Sequence, residues 1–183
     1  PLRARAMSDG VRPDDASIRT PGGAPTDGRE DAMPNAPLPD VLALLPHRYP
    51  LLLVDAITGG EPGRHATGRK RVTGAEWSAA APGGVGSAGT MPHLLVVEAL
   101  AQLTGALLVE LVDGAGGAVG YFLGVDRVRC RGVVRAGDEL TLGVSLVSFR
   151  RGICRTRGVA HVDGACVVRA DLTTVVRTAT PTR

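Results

Sequence analysis

The pattern of apolar and polar positions divides the chain near residue 36. Residues 1–36 are rich in Pro, Gly, Asp, Arg and Ala and show no apolar period. Such a segment buries too little apolar surface to offset the conformational entropy that ordering would cost. We therefore predict a disordered N-terminal tail over residues 1–36 and a single folded domain over residues 37–183.

The first part of this domain alternates short apolar runs with turn residues. Asp40 is placed to cap a short helix over residues 41–45. The compact apolar run Leu51–Ile57 predicts a strand, and the glycine- and proline-rich residues 59–63 predict a turn. The alternating residues Ala66–Val72 then predict the returning strand.

A long apolar stretch, Leu94–Leu111, follows an irregular glycine-rich loop. Pro92 suits the first position of a helix, because its missing N–H costs nothing there. The stretch carries Glu98, Gln102 and Glu110, and a charge at the centre of a bilayer costs about 2.5–3.5 kcal/mol. We therefore expect a buried helix of a soluble protein and no membrane span.

Four β-rich runs follow the helix, separated by turn residues. They are Val119–Arg129, Glu139–Phe149, Ile153–Val162 and Ala165–Val176. The pair Asp163-Gly164 is a strong hairpin signal, and a second tight turn is predicted near Arg150–Gly152. A helix that is apolar nearly all round must be enclosed, so the pattern predicts an α+β fold in which a curved antiparallel sheet wraps a central helix.

Composition and charge narrow the classes of function. The 183-residue chain is 44% hydrophobic, which is ample for a core, and its formal net charge of +3 is too small to indicate a nucleic-acid protein. Cys130, Cys154 and Cys166 are odd in number and lack metal-ligand spacing, so we expect free thiols, no metal and no cofactor. No basic-plus-apolar signal segment is visible, and we expect a cytoplasmic protein.

Glu98 and Gln102 are the leading candidates for chemistry. They lie four residues apart on the long helix and therefore share a face that is otherwise almost wholly apolar. Burial in apolar surroundings raises the pKa of a carboxyl group and keeps it protonated, as a general acid requires. The alternative is that the two side chains only bond to one another at a helix edge or subunit contact.

Two histidines occupy positions that could serve a site. His47 lies between Pro46 and Pro50 and is thereby held in place, which suits catalysis or packing, and we favour packing. His93 follows Pro92 at the start of the long helix. Exposed N–H groups at a helix start favour anions and polarised carbonyl groups, and they disfavour a protonated imidazole.

Arginines recur along the first of the four β-rich runs and around the next turn. Alternate residues of a strand share one face, so a solvated sheet face or a surface that docks an acidic partner by electrostatic steering would explain them. The residues are Arg127, Arg129, Arg131, Arg135, Arg150, Arg151, Arg155 and Arg157.

Several motifs, in the right order, resemble those of the 3-hydroxyacyl-[acyl-carrier-protein] dehydratases. Residues 44–55 (LLPHRYPLLLVD) resemble the N-terminal signature of that family, and residues 98–102 (EALAQ) resemble its central-helix motif. Further matches are residues 121–126 (YFLGVD), 137–138 (GD), 150–152 (RRG) and 159–164 (VAHVDG). The resemblance covers about residues 37–176.

The resemblance implies a hotdog fold and a dimer with active sites at the subunit interface. In that family a His of one subunit removes the α-proton, and a Glu of the other protonates the departing hydroxyl group in a tunnel for the acyl chain. Glu98 matches that glutamate, Gln102 the glutamine after it, and Tyr121 a residue that gates the tunnel, with Phe122 beside it. Acyl carrier protein is the implied acidic partner.

The resemblance breaks at the family histidine. Counting back from Glu98 without gaps places that histidine at Gly84, and His93 stands where the family has a glycine after Pro92. Glycine has no side chain that could move a proton. Gly84 and His93 would still line the substrate site, but the base is missing from its usual place.

Four interpretations remain open. In the first, the chain lends Glu98 to a heterodimer with a related subunit that has the histidine. In the second, it is a non-catalytic partner that stabilises another subunit or binds an acyl chain. In the third, His93 or His47 replaces the base in a homodimer, and in the fourth, the chain is an acyl thioesterase of the same fold. We favour the first interpretation.

Overall fold

The computed structural model describes residues 40–73, 89–111 and 118–178. The elements within these ranges are α1 (Val41–Leu44), β1 (Ala56–Glu61), β2 (His65–Arg71), β3 (Thr90–Met91), α2 (His93–Leu111), β4 (Ala118–Cys130), β5 (Val134–Arg135), β6 (Glu139–Arg150), β7 (Ile153–Val162) and β8 (Ala165–Thr178). The predicted tail and its boundary near residue 36 lie outside the described residues and stay predictions.

Six strands form one antiparallel sheet in the order β1-β2-β6-β7-β8-β4. The four strands predicted after the long helix are confirmed as β4, β6, β7 and β8. Both predicted turns are confirmed as well, because Asp163 and Gly164 have φ values of 48° and 79°, and Arg151 and Gly152 have values of 52° and 77°. Two successive positive φ values give the twist that a tight hairpin requires.

The predicted strand over Leu51–Ile57 is wrong in its position. Residues 52–55 belong to no strand, and β1 begins only at Ala56. The predicted turn over residues 59–63 is also displaced, since β1 runs on through Glu61 and the turn falls at residues 62–64. The backbone of residues 51–53 has partners other than a neighbouring strand, and these belong to the site described below.

The short helix α1 forms as the sequence predicts, although it ends at Leu44. The Asp40 carboxylate accepts a hydrogen bond from the backbone N–H of Leu42 at 2.9 Å and so caps the helix. Val41 and Leu45, at the two ends of this turn, are buried in the core. The helix thereby fixes where the following loop starts.

Helix α2 packs closely on the sheet because two strand positions are glycine. Leu100 and Leu103 of α2 are completely buried. A Cβ atom at Gly158 would lie 3.1 Å from Leu100 Cδ1, and one at Gly68 would lie 3.3 Å from Leu103 Cδ1. The absence of these Cβ atoms lets the helix approach the sheet closely.

A buried polar contact also joins α2 to the sheet. The hydroxyl groups of Thr104 on α2 and Thr156 on β7 hydrogen-bond at 3.1 Å, and both side chains are almost fully buried. Buried hydroxyl groups need such a partner, so the bond favours one rotation of α2 about its axis. That rotation decides which way Glu98 and Gln102 face.

The predicted α+β architecture, a long helix packed against a large antiparallel sheet, is confirmed. The sequence pattern missed the short pair β3 and β5, in which Thr90 lies opposite Arg135. This pair places Arg135 beside the start of α2. Arg135 and the nearby Arg131 are called the arginine segment below. Neither helix of the described ranges has the length and apolar character needed to cross a membrane.

Candidate functional site

Gln102 is the central polar residue of the candidate site. Its side chain is almost fully buried and makes three hydrogen bonds. The amide oxygen accepts from the backbone N–H of Leu53 at 2.9 Å, and the amide nitrogen donates to the carbonyl oxygen of Leu51 at 2.7 Å and to Glu98 Oε1 at 2.9 Å. The two backbone partners fix the orientation of the amide, because one is a donor and the other an acceptor. The predicted contact between Gln102 and Glu98 is therefore confirmed, with Gln102 as the donor.

The carboxyl group of Glu98 is only partly enclosed by its own chain. Its side chain is 45% exposed in the single chain, although Ala99 and Leu100 beside it on α2 are completely buried. The resemblance implies a site between two subunits, so the predicted enclosure of Glu98 is not tested by the single chain and stays a prediction. Enclosure of this group requires another surface.

His47 lies beside the same carboxyl group. Its Nε2 atom is 3.8 Å from Glu98 Oε1, and its side chain is 36% exposed. Its Nδ1 atom is buried and has no hydrogen-bond partner among the described residues. The structure thus joins Glu98, Gln102 and His47 in one cluster, whereas the sequence left His47 without an assigned neighbour.

The segment between His47 and Leu53 is fastened at both ends. Arg48 donates Nη1 to the carbonyl oxygens of Leu45 and His47, each at 2.7 Å, and Nη2 to that of Leu42 at 3.2 Å. Gln102 holds the other end through Leu51 and Leu53. Sequence reasoning missed Arg48 as a positioning residue, and its only signal was its place inside the matched N-terminal signature.

The other predicted site residues do not join this cluster in the single chain. His93 begins α2 as predicted, and its Nε2 atom is buried without a hydrogen-bond partner among the described residues. Tyr121 and Phe122 lie on β4, and both are about half exposed. Gly84 lies outside the described residues, so its place in the site stays a prediction.

The arginines do not form the regular face that the alternation predicted. The register of β4 against β8 shifts between Asp126 and Arg129, and Arg127 has a φ of 50°. Arg127 turns its guanidinium group onto Asp171, which also accepts from Arg157 Nε at 3.0 Å. Burial opposes ionisation of Asp171, but the hydrogen bonds and charges of the two arginines outweigh it and hold the pKa of the carboxyl group below its usual range.

The cysteines supply no nucleophile to the cluster. All three thiols are free, as expected. Burial raises the pKa of the Cys154 thiol to about 11, so this residue is a thiol at neutral pH. Among the described residues no three His, Cys, Asp or Glu side chains gather closely enough to hold a metal ion.

Two comparisons of the sequence with known proteins bear on the family of the chain. The family model of the FabA-like domain matches residues 45–171. The 3-hydroxyacyl-[acyl-carrier-protein] dehydratase FabZ of Syntrophotalea carbinolica is 42% identical over 138 residues, which cover 74% of this chain and 91% of that protein. FabZ of Bacillus subtilis is 42% identical over 130 residues, which cover 71% of this chain and 90% of that protein.

The chain belongs to the FabA-like dehydratase family. The family relationship leaves the roles of Glu98 as acid and of Gln102 as its support as predictions, which rest on the resemblance of residues 98–102 to the family's central-helix motif. The structure itself shows that the Glu98 carboxyl group, the Gln102 amide and the His47 imidazole lie together.

Solved structures agree on the fold of this family member. A chain of the dehydratase heterocomplex ApeI:P from Xenorhabdus doucetiae aligns with a TM-score of 0.64 and 20% identity, covering 76% of this chain and 91% of that one. A hypothetical thioesterase with coenzyme A from Streptococcus pneumoniae aligns with a TM-score of 0.53 and 18% identity, covering 67% and 84%. The hotdog fold predicted for the chain is confirmed.

Proposed function

We propose that this chain is the acid-bearing subunit of a dehydratase that acts on 3-hydroxyacyl thioesters of acyl carrier protein, in the cytosol and in fatty-acid or polyketide chain building. A related subunit that has the family histidine completes its site. The observation that carries the proposal is the Glu98 carboxyl group, which Gln102 holds in place while the family histidine is replaced by Gly84. The family relationship and the FabZ relatives supply the reaction class.

The elimination needs one base and one acid. The histidine of the partner removes the proton from the α-carbon, and the carbon–oxygen bond at the β-carbon breaks as the double bond forms. Glu98 gives its proton to the departing hydroxyl group, which leaves as water. The products are an enoyl thioester, a carboxylate at Glu98 and a protonated histidine, so protons and electrons balance before both groups are reset.

A second subunit would also cover surfaces that the single chain leaves open. Tyr121, Phe122 and Leu123 are consecutive exposed apolar residues on β4, which lies at one edge of the sheet. An exposed edge strand with apolar side chains is a ready surface for pairing with another chain. Covering this edge and the half-exposed carboxyl of Glu98 would supply the enclosure that a general acid needs. The ApeI:P dehydratase is itself described as a heterocomplex.

The proposal is tested by complementation. A FabZ-type subunit that has the family histidine, with its own catalytic glutamate changed to Gln, keeps the histidine but lacks the acid. We expect no turnover of a 3-hydroxyacyl carrier substrate by that subunit alone or by this chain alone, and turnover by the purified complex of the two. Formation of the enoyl thioester, followed by mass spectrometry of the carrier, gives the rate.

Robust dehydration by this chain alone would contradict the half-site proposal, because a second functional base would then be present. A stable complex without turnover would favour the non-catalytic, acyl-binding role instead.

We also propose that the acidic carrier docks on the arginine segment beside the start of α2. Arg127 and Arg157 are committed to Asp171, whereas Arg131 and Arg135 are exposed. Arg135 lies on β5 opposite Thr90, just ahead of α2. An exposed positive charge there would steer an acidic carrier toward the site.

The docking prediction concerns KM. We expect the double change Arg131→Glu and Arg135→Glu to raise KM for the carrier-bound substrate about tenfold at low salt, since rim charges act mainly on association. The effect should shrink as salt increases, and KM for a small pantetheine thioester should not change. Arg64→Glu is the control, because Arg64 lies in the β1–β2 turn before β2, paired with Glu61 at 3.0 Å, whereas Gly137, two residues after Arg135, bonds to Val72 beyond the other end of β2. Equal effects of the double change and the control would contradict docking at this surface.

A further inference from the structure

The imidazole of His47 meets the carboxyl oxygen that Gln102 already contacts. His47 Nε2 is 3.8 Å from Glu98 Oε1, and Gln102 Nε2 donates to that same atom at 2.9 Å. Oε1 therefore faces two nitrogen atoms of its own chain. Glu98 Oε2 is left as the oxygen from which a proton can go to a substrate.

The contact favours a hydrogen atom on His47 Nε2. A bare nitrogen lone pair pointed at a carboxyl oxygen is repulsive, whereas an N–H group is attractive. His47 Nδ1 is buried and has no partner among the described residues. An unpaired buried N–H group is costly, so the neutral ring is better accommodated with its hydrogen on Nε2.

The charged groups near the His47 ring are Arg48 and Glu98. The Arg48 guanidinium group donates to three carbonyl oxygens of the preceding segment, including that of His47 itself, and is thereby turned to the backbone. Glu98, on α2, is the charged side chain of the described residues that faces the ring. The 3.8 Å separation is longer than a hydrogen bond, but catalytic hydrogen bonds of a free enzyme are often long and tighten when substrate binds.

We propose that His47 is a positioning residue that donates its Nε2–H group to Glu98 Oε1. The proposal rests on the proposed function in one respect, namely that Glu98 is the acid. When the Oε2–H bond of Glu98 breaks, its electron pair stays on the carboxyl group while the proton goes to the departing hydroxyl. The N–H groups of His47 and Gln102 stabilise the negative charge that develops there. His47 keeps its own proton throughout and is not a base.

Two variants distinguish three roles of the His47 side chain, namely a hydrogen-bond donor, a ring that only fills space, and a base. His47→Phe keeps a ring of similar shape but has no N–H group, and His47→Gln keeps an N–H group but has no ring and no basic nitrogen. Both are measured in the complementation complex, in which this chain supplies the only acid. We expect His47→Phe to lower kcat about 10- to 100-fold with KM within twofold, and His47→Gln to restore the rate to within about fivefold of the wild type.

Other outcomes would overturn the donor role. If His47→Gln is as inactive as His47→Phe in a folded complex, the ring is a base or is needed for its shape together with its nitrogen. If His47→Phe is active and His47→Gln is not, only the ring shape matters. An unchanged kcat in both variants leaves the contact without a role in the reaction. Glu98→Gln in the same complex separates failure of the proposed function from failure of the donor role. If Glu98→Gln is active, Glu98 is not the acid and the proposed function is overturned. If Glu98→Gln is inactive but the His47 variants do not behave as expected, only the donor role is overturned.

Discussion

Glu98→Gln should lower kcat of the complementation complex at least about 100-fold, which is the lower end of what a positioned general acid contributes. The glutamine has the same shape and its amide oxygen can still accept the hydrogen bond that Gln102 donates at 2.9 Å. It has no acidic proton for the departing hydroxyl group. The measurement is single-turnover formation of the enoyl thioester, with KM and the stability of the complex recorded beside it.

Glu139→Gln is the matched control for this experiment. The side chain of Glu139 is 44% exposed, against 45% for Glu98, but it lies on β6 and pairs with Arg71. We expect the control to keep its rate, because it removes a carboxylate of similar exposure away from the cluster. A rate for Glu98→Gln within threefold of the wild type would make Glu98 a structural residue and would leave the chain without an assigned acid.

The parts of the fold that sequence reasoning predicted well depend on local chemistry. Asp40 caps α1 through a bond to a residue two positions away, and Asp163-Gly164 forms its turn through its own φ angles. The contact between Glu98 and Gln102 is likewise a matter of helical spacing. Each of these features is determined by a few neighbouring residues, so the pattern of residue types is sufficient to predict it.

The features that the sequence mispredicted depend on residues far apart in the chain. The run Leu51–Ile57 has the composition of a strand, but Gln102, 49 residues beyond Leu53, takes up its backbone groups. Arg127 does not share the strand face predicted for alternate arginines of β4, because the sheet register shifts there and its guanidinium group binds Asp171. Neither partner is visible from local periodicity.

The exposure of Glu98 has a different physical origin. Sequence pattern shows that a side chain lies on an apolar helix, but it does not show where the covering sheet ends. Glu98 sits at that margin, and its neighbour His47 comes from a loop that α1 and Arg48 direct toward the helix. The two groups became neighbours only through tertiary packing, so the spacing of 51 positions between them carried no signal.

Gln102→Leu should damage both the fold and the reaction, because one side chain links the loop of His47 to the carboxyl of Glu98. Leucine fills a similar volume but leaves the Leu53 N–H and the Leu51 carbonyl oxygen without their partner. Unpaired buried groups of this kind cost about 1–3 kcal/mol each. We expect a loss of about 2–4 kcal/mol in the free energy of unfolding and a fall in Tm of about 5–15 °C. Hydrogen exchange at the Leu53 amide should accelerate well beyond that global change.

Thr104→Val provides the comparison on the same helix. Thr104 is also almost fully buried, and this change removes its bond to Thr156 without touching the loop. It should cost about 1–2 kcal/mol and leave kcat unchanged at a temperature where both variants are folded. Gln102→Leu should lower kcat at least tenfold under the same conditions, because Glu98 loses a donor and His47 loses its anchored loop. If the two variants lose stability equally and neither loses rate, Gln102 supports the helix alone and the link between loop and carboxyl has no catalytic consequence.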